Sequence, residues 1–403
     1  MSPNLPESDF GTLFGRRPKV AIGHPIMARG GSESNVMWLA EALKRDCDVT
    51  VVTTRGWDLD ELNGFYGTSI QPGEVRVRRA PTPFTPQRVT AAAWRGSCYQ
   101  RFAQRIAREY DVRISACNPT AWGAPAVHFV VDFVWHPTLW KMLDPRAPGF
   151  IHRDSPLRKI YLAAARKYGR VTDSPMSPDD LVIANSEWAA ELLRRHCNVS
   201  DPLVVYPAVW ASFPEAAWES KENAFAMIGR IAPEKRIERA ISILEAVRGR
   251  GHGLKLHLCG AIGDDAYGRT IRRLCAENRD WIAAEGRVTG EKKAGLLAAC
   301  RFGIQTRAAE PFGIAVAEMA RAGAIVFAPS EGGQAEILDH PMLTFDSDAD
   351  AADKIDAVLR DAGKQAELRK HLRERARIFS AENFMRESRA AIAAFLARRK
   401  ELS

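Results

Sequence analysis

The sequence lacks the marks of several large protein classes. Seven cysteines are scattered along 403 residues, at Cys47, Cys98, Cys117, Cys197, Cys259, Cys275 and Cys300, and no two form a Cys-x-x-Cys pair. An odd, dispersed set in a long chain argues against a disulfide framework and against a zinc site. Reduced thiols are therefore the expectation. Long apolar runs are also missing. The most apolar stretch, Ile114 to Trp135, is interrupted by Asn118, Pro119, Pro125, His128 and Asp132, which makes it a poor membrane span. The polar start, Met1 to Arg17, has no apolar core of a signal peptide. These features lead us to expect a cytoplasmic protein, peripheral at the inner face of a membrane at most. No zinc finger, RNA-binding aromatic motif or helix-turn-helix signature is present, so nucleic acid is not an expected partner.

What is present has an ordinary globular balance: 46% hydrophobic and 26% charged residues, with 29 Gly and 23 Pro. That excludes a disordered chain, a collagen-like fibre and a coiled coil. The formal net charge is +8. Residues 1–200 hold 26 basic and 20 acidic residues and residues 201–403 hold 31 and 29, so the excess sits in the first half. A moderately basic face attracts an anionic membrane or a phosphorylated substrate. The plainer explanation is codon usage that favours Arg.

The hydrophobic pattern alternates short strands with helices. Lys19-Val-Ala-Ile-Gly-His24 reads as a buried strand. A turn, Ala28-Arg-Gly-Gly-Ser32, follows, and Ser32 is placed to cap the helix through Val36–Leu43. Asp48–Thr53 is the next strand, which completes a βαβ unit of a parallel sheet. The spacing then predicts a helix over about 89–109, strands at 112–116 and 126–131, a basic helix from Pro156 to Tyr168, and a strand at 180–185. Ser186 caps a helix over 187–196, and a short strand follows at 204–207. A polar stretch, Trp218 to Asn223, reads as an interdomain linker, after which the pattern restarts with strands at 224–229, 254–259, 281–284, 302–305 and 324–328. Two α/β domains result, 1–215 and 216–379, with a helical end over about 380–400. In such sheets ligands bind at the carboxyl ends of the strands.

Three segments fall at those ends. Glu310-Pro-Phe-Gly-Ile-Ala-Val-Ala-Glu318 places one carboxylate before a helix and another within it. The N–H groups of Gly313, Ile314 and Ala315 would be free at that helix start, a site for phosphate. The competing reading is a solvated acidic pair. Gly229-Arg230-Ile-Ala-Pro-Glu-Lys235 puts two cations five residues apart after a strand, suited to a diphosphate; the alternative is a solvated basic loop. Gly30-Gly31 lets backbone approach a ligand closely, although neither a dinucleotide fingerprint nor a nucleoside triphosphatase loop surrounds it.

Together these segments resemble the family 4 retaining glycosyltransferases. The matching residues are Gly30-Gly31, Gly229-Arg230 with Pro233-Glu234-Lys235, Glu310-x7-Glu318 followed by Ala320 and Gly323, and the loop Ser330-Glu-Gly-Gly-Gln-Ala-Glu336. The resemblance implies the GT-B fold, two Rossmann-like α/β domains facing across a deep cleft, with the last helix packing back on the first domain. It implies a metal-independent, retaining transfer of a hexose from a UDP- or GDP-sugar to a hydroxyl acceptor, in glycan, polysaccharide or glycolipid biosynthesis. The nucleotide sugar is a co-substrate, and neither cofactor nor metal is expected.

Carried over residue by residue, the resemblance gives Arg230 and Lys235 to the donor diphosphate and Glu310 to the sugar hydroxyls and reacting face. Glu318 falls to the ribose, Phe312, Gly313 and Ile314 to the loop at sugar and phosphates, and Gly30 and Gly31 to the diphosphate from the other domain. Val288 lies near the base. In the first domain His128 or Asp132 is the matching site residue; the register leaves both open, and a strand histidine also reads as a satisfied core residue. His136 and His152 have weaker claims. Trp135 and Trp140 either line the acceptor side or belong to the core. The acceptor is a sugar, a lipid-linked sugar or a phosphorylated one. The basic helix Arg158–Lys167 either packs an apolar face inward, docks on anionic lipid or holds an acidic acceptor. The alternative function is a non-catalytic nucleotide-sugar-binding or scaffold protein on the same fold.

Overall fold

The computed structural model describes residues 10, 14–83, 91–145, 155–172, 175–209 and 212–401. It divides into two units. The first comprises Met1–Trp140, Phe150–Ala208 and Ala381–Ser403; the second comprises Lys141–Gly149 and Val209–Ser380.

The first unit is built on β1 (Lys19–Gly23), β2 (Asp48–Thr53), β3 (Val75–Arg79), β4 (Val112–Ser115), β5 (Val127–Val130), β6 (Leu181–Ala184) and β7 (Leu203–Val204). They form one parallel sheet in the order β3-β2-β1-β4-β5-β6-β7. Strands β1 and β2 are near-continuous apolar runs because helices cover both sheet faces; Val20, Ala21, Ile22, Val49, Val51 and Val52 are all buried. The helices are α1 (Gly31–Leu43), α2 (Leu59–Tyr66), α3 (Ala92–Ile106), α4 (Pro137–Leu143), which starts in this unit and ends among residues of the second, α5 (Pro156–Gly169) and α6 (Glu187–His196). Ser186 caps α6 as expected, accepting from the Ala189 N–H at 2.9 Å.

The second unit repeats the plan. Its strands are β8 (Glu222–Ile228), β9 (Lys255–Cys259), β10 (Ile282–Gly286), β11 (Cys300–Ile304), β12 (Ile325–Pro329) and β13 (Thr344–Phe345), again parallel, in the order β10-β9-β8-β11-β12-β13. The helices are α7 (Ile237–Gly249), α8 (Ala266–Glu277), α9 (Gly290–Ala299), α10 (Ile314–Arg321), α11 (Gln334–Leu338), α12 (Asp348–Leu359) and α13 (Ala362–Ala376). Phe225 of β8 stacks on Phe302 of β11 at 5.0 Å between ring centroids, with Phe327 of β12 beyond. A final helix, α14 (Ala381–Glu401), belongs to the first unit. Phe384 on it meets Phe129 of β5, and Arg389 donates to the Ala42 carbonyl at the end of α1.

In each sheet the chain works outward and then returns to the middle. The switch points lie between β1 and β4 and between β8 and β11. That is where open α/β sheets bind ligands.

Several expectations need correction. The stretch Trp218–Asn223 is not a free linker. Trp218 packs edge-on against Phe302, the Arg369 guanidinium sits 4.2 Å from its ring centre, Lys221 is buried, and Glu222 opens β8. Its polarity misled because the charges are used within the fold: Glu222 pairs with Lys255 and His257, and Lys221 Nζ donates to the Ala322 carbonyl. The unit boundary accordingly falls at Ala208/Val209. Ser32 does not cap α1. It lies inside the helix, where its hydroxyl donates to Glu33 Oε2 at 2.9 Å. The basic helix α5 does not turn its apolar residues inward as a set: Leu157 and Ile160 are 80% and 66% exposed, and Ala165 and Gly169 make its buried face. Among the described residues, no helix is long and apolar enough to cross a membrane.

Candidate active site

In the second unit the switch point is assembled by two loops. After β8 the chain makes a single turn over Pro233–Lys235. After β11 it enters a turn that carries Thr306, Arg307 and Glu310. Thr306, fully buried, ties the loops together: its hydroxyl meets the carbonyl oxygens of Lys235 and Arg236 at 2.9 and 2.8 Å. Lys235 and Glu310, 75 residues apart, thereby meet, with Nζ 2.6 Å from Oε2.

Glu310 is the centre of this cluster. The Arg307 guanidinium approaches the same carboxylate at 3.3 Å. Burial by itself would raise the carboxyl pKa, since a charged group loses solvation. Lys235 first, then Arg307, and Arg230 from farther out, outweigh that and hold it at about 2. Its backbone is equally fixed. Gly332 bridges Glu310 in a short parallel pairing, the Gly333 N–H donates to the Glu310 carbonyl at 2.9 Å, and Ala309 is held in the left-handed region at φ +54°. A left-handed non-glycine residue costs about 1 kcal/mol or more and persists only where its surroundings dictate it.

The start of α10 stands beside this carboxylate. Its N-cap is Gly313, at φ +102°, and no side chain caps it. A Cβ there would lie 3.0 Å from Gln334 Cβ, so glycine serves both the turn and the close packing. Ile314 is the first helical residue. Phe312, expected at the donor, turns its ring into the core against Phe379, 5.6 Å between centroids; only its backbone remains at the loop. Arg230 is 78% exposed and its guanidinium meets the buried Glu234 at 3.0 Å. Glu318, farther along α10, is 2.6 Å from Lys293 of α9. Val288 is buried in the turn that leads into α9.

Sequence reasoning missed Lys293, Arg307 and Gln334. Gln334 is fully buried, donates to the Arg307 carbonyl at 2.7 Å, and leaves Oε1 unpaired. Its place in Ser330–Glu336 was a signal for it; Arg307 and Lys293 offer none without the fold.

In the first unit the two alternatives have different surroundings. His128 is 1% exposed, with Nδ1 3.0 Å from the Ser115 hydroxyl and Nε2 3.2 Å from Asp180 Oδ2. Both ring nitrogens are engaged within the core, and these are the contacts of a satisfied core histidine. Asp132 lies just beyond β5. Its Oδ1 accepts from Asn118 Nδ2 at 2.7 Å and from the Val134 N–H at 3.0 Å, and the Trp135 indole donates to its carbonyl at 3.0 Å. Asp132 and Trp135 are therefore one partly exposed turn. His136 Nδ1 accepts from the Leu139 N–H, Trp140 is half-buried on α4, and His152 lies outside the described residues.

Gly30 precedes α1, exchanging hydrogen bonds with the Tyr66 hydroxyl, and a Cβ on it would come 2.7 Å from Glu33 Oε2. Gly31 begins the helix. A further residue at this switch point is His24, buried at the end of β1 with Nε2 3.1 Å from the Ser32 hydroxyl. Burial lowers its pKa. All seven cysteines are free thiols. Burial raises Cys47, Cys259 and Cys300 to about 12, which makes them inert at neutral pH.

Comparison with known proteins adds the following. Residues 209–379 match the family described as glycosyl transferases group 1, and residues 30–208 match the glycosyl transferase 4-like domain. Nothing among curated protein sequences matches the chain. Solved structures do. HepE of Anabaena, determined with UDP-glucose, is 17% identical over 95% of this chain and 100% of its own, with a TM-score of 0.66. WaaG, a glycosyltransferase involved in lipopolysaccharide biosynthesis, is 15% identical over 92% and 98%, at 0.65. Sucrose-phosphate synthase from Thermosynechococcus elongatus is 18% identical over 96% and 98%, at 0.66. At these identities the likeness is one of fold, and the fold shared is GT-B.

Proposed function

Because the chain belongs to the group 1 glycosyltransferases, with a 4-like domain ahead of the group 1 domain, we propose that it is a metal-independent, retaining hexosyltransferase. The donor is a UDP- or GDP-linked sugar and the acceptor a hydroxyl of a sugar, lipid-linked or phosphorylated molecule, in glycan, polysaccharide or glycolipid biosynthesis. One observation carries this reading: Lys235 and Arg307 converge on Glu310 beside the uncapped start of α10, at the carboxyl ends of β8 and β11.

Breaking the bond between sugar and diphosphate builds negative charge on the departing phosphate. Lys235, the exposed Arg230 and the N–H groups of Gly313 and Ile314 are prepositioned cations and dipoles for that charge. They supply the stabilisation a divalent ion supplies elsewhere. Glu310, held near pKa 2, stays ionised at neutral pH. It is thus an acceptor of hydrogen bonds from sugar hydroxyls and no proton donor. The acceptor hydroxyl attacks the anomeric carbon from the face the diphosphate leaves, and its proton passes to the departing phosphate oxygen. The product keeps its anomeric configuration without a covalent enzyme intermediate. Glu318 with Lys293 receives the ribose hydroxyls, Val288 borders the base, and Gly30 and Gly31 are further donor contacts. Asp132 and Trp135 are the acceptor candidates of the first unit.

The test is a thermal-shift screen of UDP- and GDP-hexoses, followed by product analysis with the stabilising donor. A bound donor raises the melting temperature by mass action. Lys235→Ala and Glu310→Gln are expected to lower turnover by about 100-fold or more with the fold intact, and a chelator is expected to leave it unchanged. Near wild-type turnover in folded variants sinks the site assignment; a strict metal requirement sinks the charge argument. A donor that binds yet is never consumed, with any acceptor, favours the scaffold reading.

A further inference from the structure

The donor site uses cations of the second unit, so the basic excess of the first half is left over. It is concentrated. From Val75 to Arg108 the chain has eight arginines and no Asp, Glu or Lys, a charge equal to the +8 of the whole chain.

Part of this segment forms β3 and α3, and α3 packs along α5. Between α3, the end of α5 and the turn after β3 lies a cavity of about 370 Å³. Arg101, Arg105 and Arg170 line it, with Phe102, Tyr168 and Gln104, and no carboxylate is among its lining residues. The guanidinium groups are placed by aromatic rings. Arg101 Cζ lies 4.9 Å from the Tyr168 ring centre while its NH1 donates to the Tyr168 carbonyl at 3.1 Å. Arg105 Cζ lies 5.1 Å from the Phe102 ring centre. Gln104 fastens α3 to the end of α5 through the Gly169 carbonyl at 3.0 Å. Arg170 follows in the left-handed region, φ +52°.

The same surface shows what a neutralised arginine looks like: Arg78, its Cζ 5.6 Å from the Phe102 ring centre, pairs with Glu109. Among the described residues Arg101, Arg105 and Arg170 have no such ion pair. Three like charges on one cavity repel one another, and a multiply charged anion relieves all three. The planar fork of Arg matches phosphate oxygens, and a ring-bounded floor holds its orientation.

We propose that this cavity is a second anion site, one that binds the phosphate group of a phosphorylated ligand. Its lining shares no residue with the switch points described above, and the proposal does not rest on the transferase reading.

Pyrophosphate is the probe. It is titrated calorimetrically into the full chain, into Lys235→Ala, and into Arg101→Gln/Arg105→Gln. The expected result is a binding event that Lys235→Ala keeps and that the arginine pair variant loses or weakens about tenfold, the scale of charge-assisted hydrogen bonds. Raising salt weakens that event. Arg170→Asn tolerates the left-handed backbone and gives a smaller loss in a fold left untouched, so a poorly folded double variant leaves the test standing. Sedimentation with phosphatidylglycerol and phosphatidylcholine vesicles separates the sources. Binding to the anionic vesicles alone, lost in the arginine variants, identifies a lipid headgroup. Pyrophosphate binding without vesicle binding identifies a soluble phosphorylated ligand. Unchanged titrations in both arginine variants overturn the proposal.

Discussion

Two buried charges of the second unit are governed by opposite environments. Glu310 is surrounded by cations and held near pKa 2, below the ordinary 4.5. Between those values the unfolded chain binds more protons than the folded one. Stability therefore falls as pH drops from about 4.5 toward about 2, and we expect Glu310→Gln to show a smaller fall over that window in chemical denaturation. Among the described residues Lys221 forms no ion pair with a carboxylate. Its Nζ donates to the Ala322 carbonyl at 2.8 Å, and burial first, with Arg369 adding to it, lowers its pKa from 10.5 to about 8. A lysine depressed in this way binds fewer protons folded than unfolded, so it contributes a gain in stability as pH rises from about 8 to about 10.5. The gain is roughly 3 kcal/mol, at about 1.4 kcal/mol per pKa unit, and Lys221→Met is expected to lack it when the two unfolding curves are compared. Single residues also mark the limit of reading a linear chain. His128 looked equally fit for chemistry or core, because nothing in Ala-Val-His-Phe announces that Ser115 and Asp180 take both of its nitrogens.

Among elements, the segment from β11 to α11 is held by its backbone. Gly332 adopts φ +113°, and a Cβ on it would stand 2.7 Å from the Glu310 carbonyl oxygen and 2.8 Å from its amide nitrogen. Backbone cannot yield as a flexible side chain can. We expect Gly332→Ala to destabilise by about 2 kcal/mol or more and to cut turnover as Glu310 moves, measured by melting temperature and initial rate together. Much of this element was legible in advance. Glu310-Pro-Phe-Gly and the following eight residues carried the turn, the helix start and the two carboxylates, and α10 runs where the pattern placed it. The β1 to β2 unit was equally plain, because parallel strands covered on both faces have to be apolar throughout. Edge elements were not. Strand β3 is Val-Arg-Val-Arg-Arg, polar at every second position, and α2 is a short helix recognisable mainly by its Asp58 cap. Partners distant in sequence, such as Lys293 for Glu318, were legible nowhere.

For the molecule as a whole, the informative feature is α14. Phe384, Ile392 and Leu396 on this helix are buried in the first unit, and Arg389 pairs with Asp46 at the end of α1. Removing residues 381–403 takes those side chains out of a packed core, and deletions of buried large residues cost about 2–5 kcal/mol each. A chain ended at Ser380 is expected to lose cooperative unfolding of the first unit, while the second unit, whose strands and core lie within 209–380, keeps its transition. Scanning calorimetry of the two chains resolves this.

The same helix sets an order of events on the ribosome. Residues 209–380 emerge as one continuous stretch and can close their core as soon as they are out. The first unit, begun earlier, waits for a segment translated after its neighbour is complete. Its apolar face between α1 and β5 stays uncovered for the whole of that interval, exposed to chaperones and to other nascent chains. The domain that starts first is the one that finishes last.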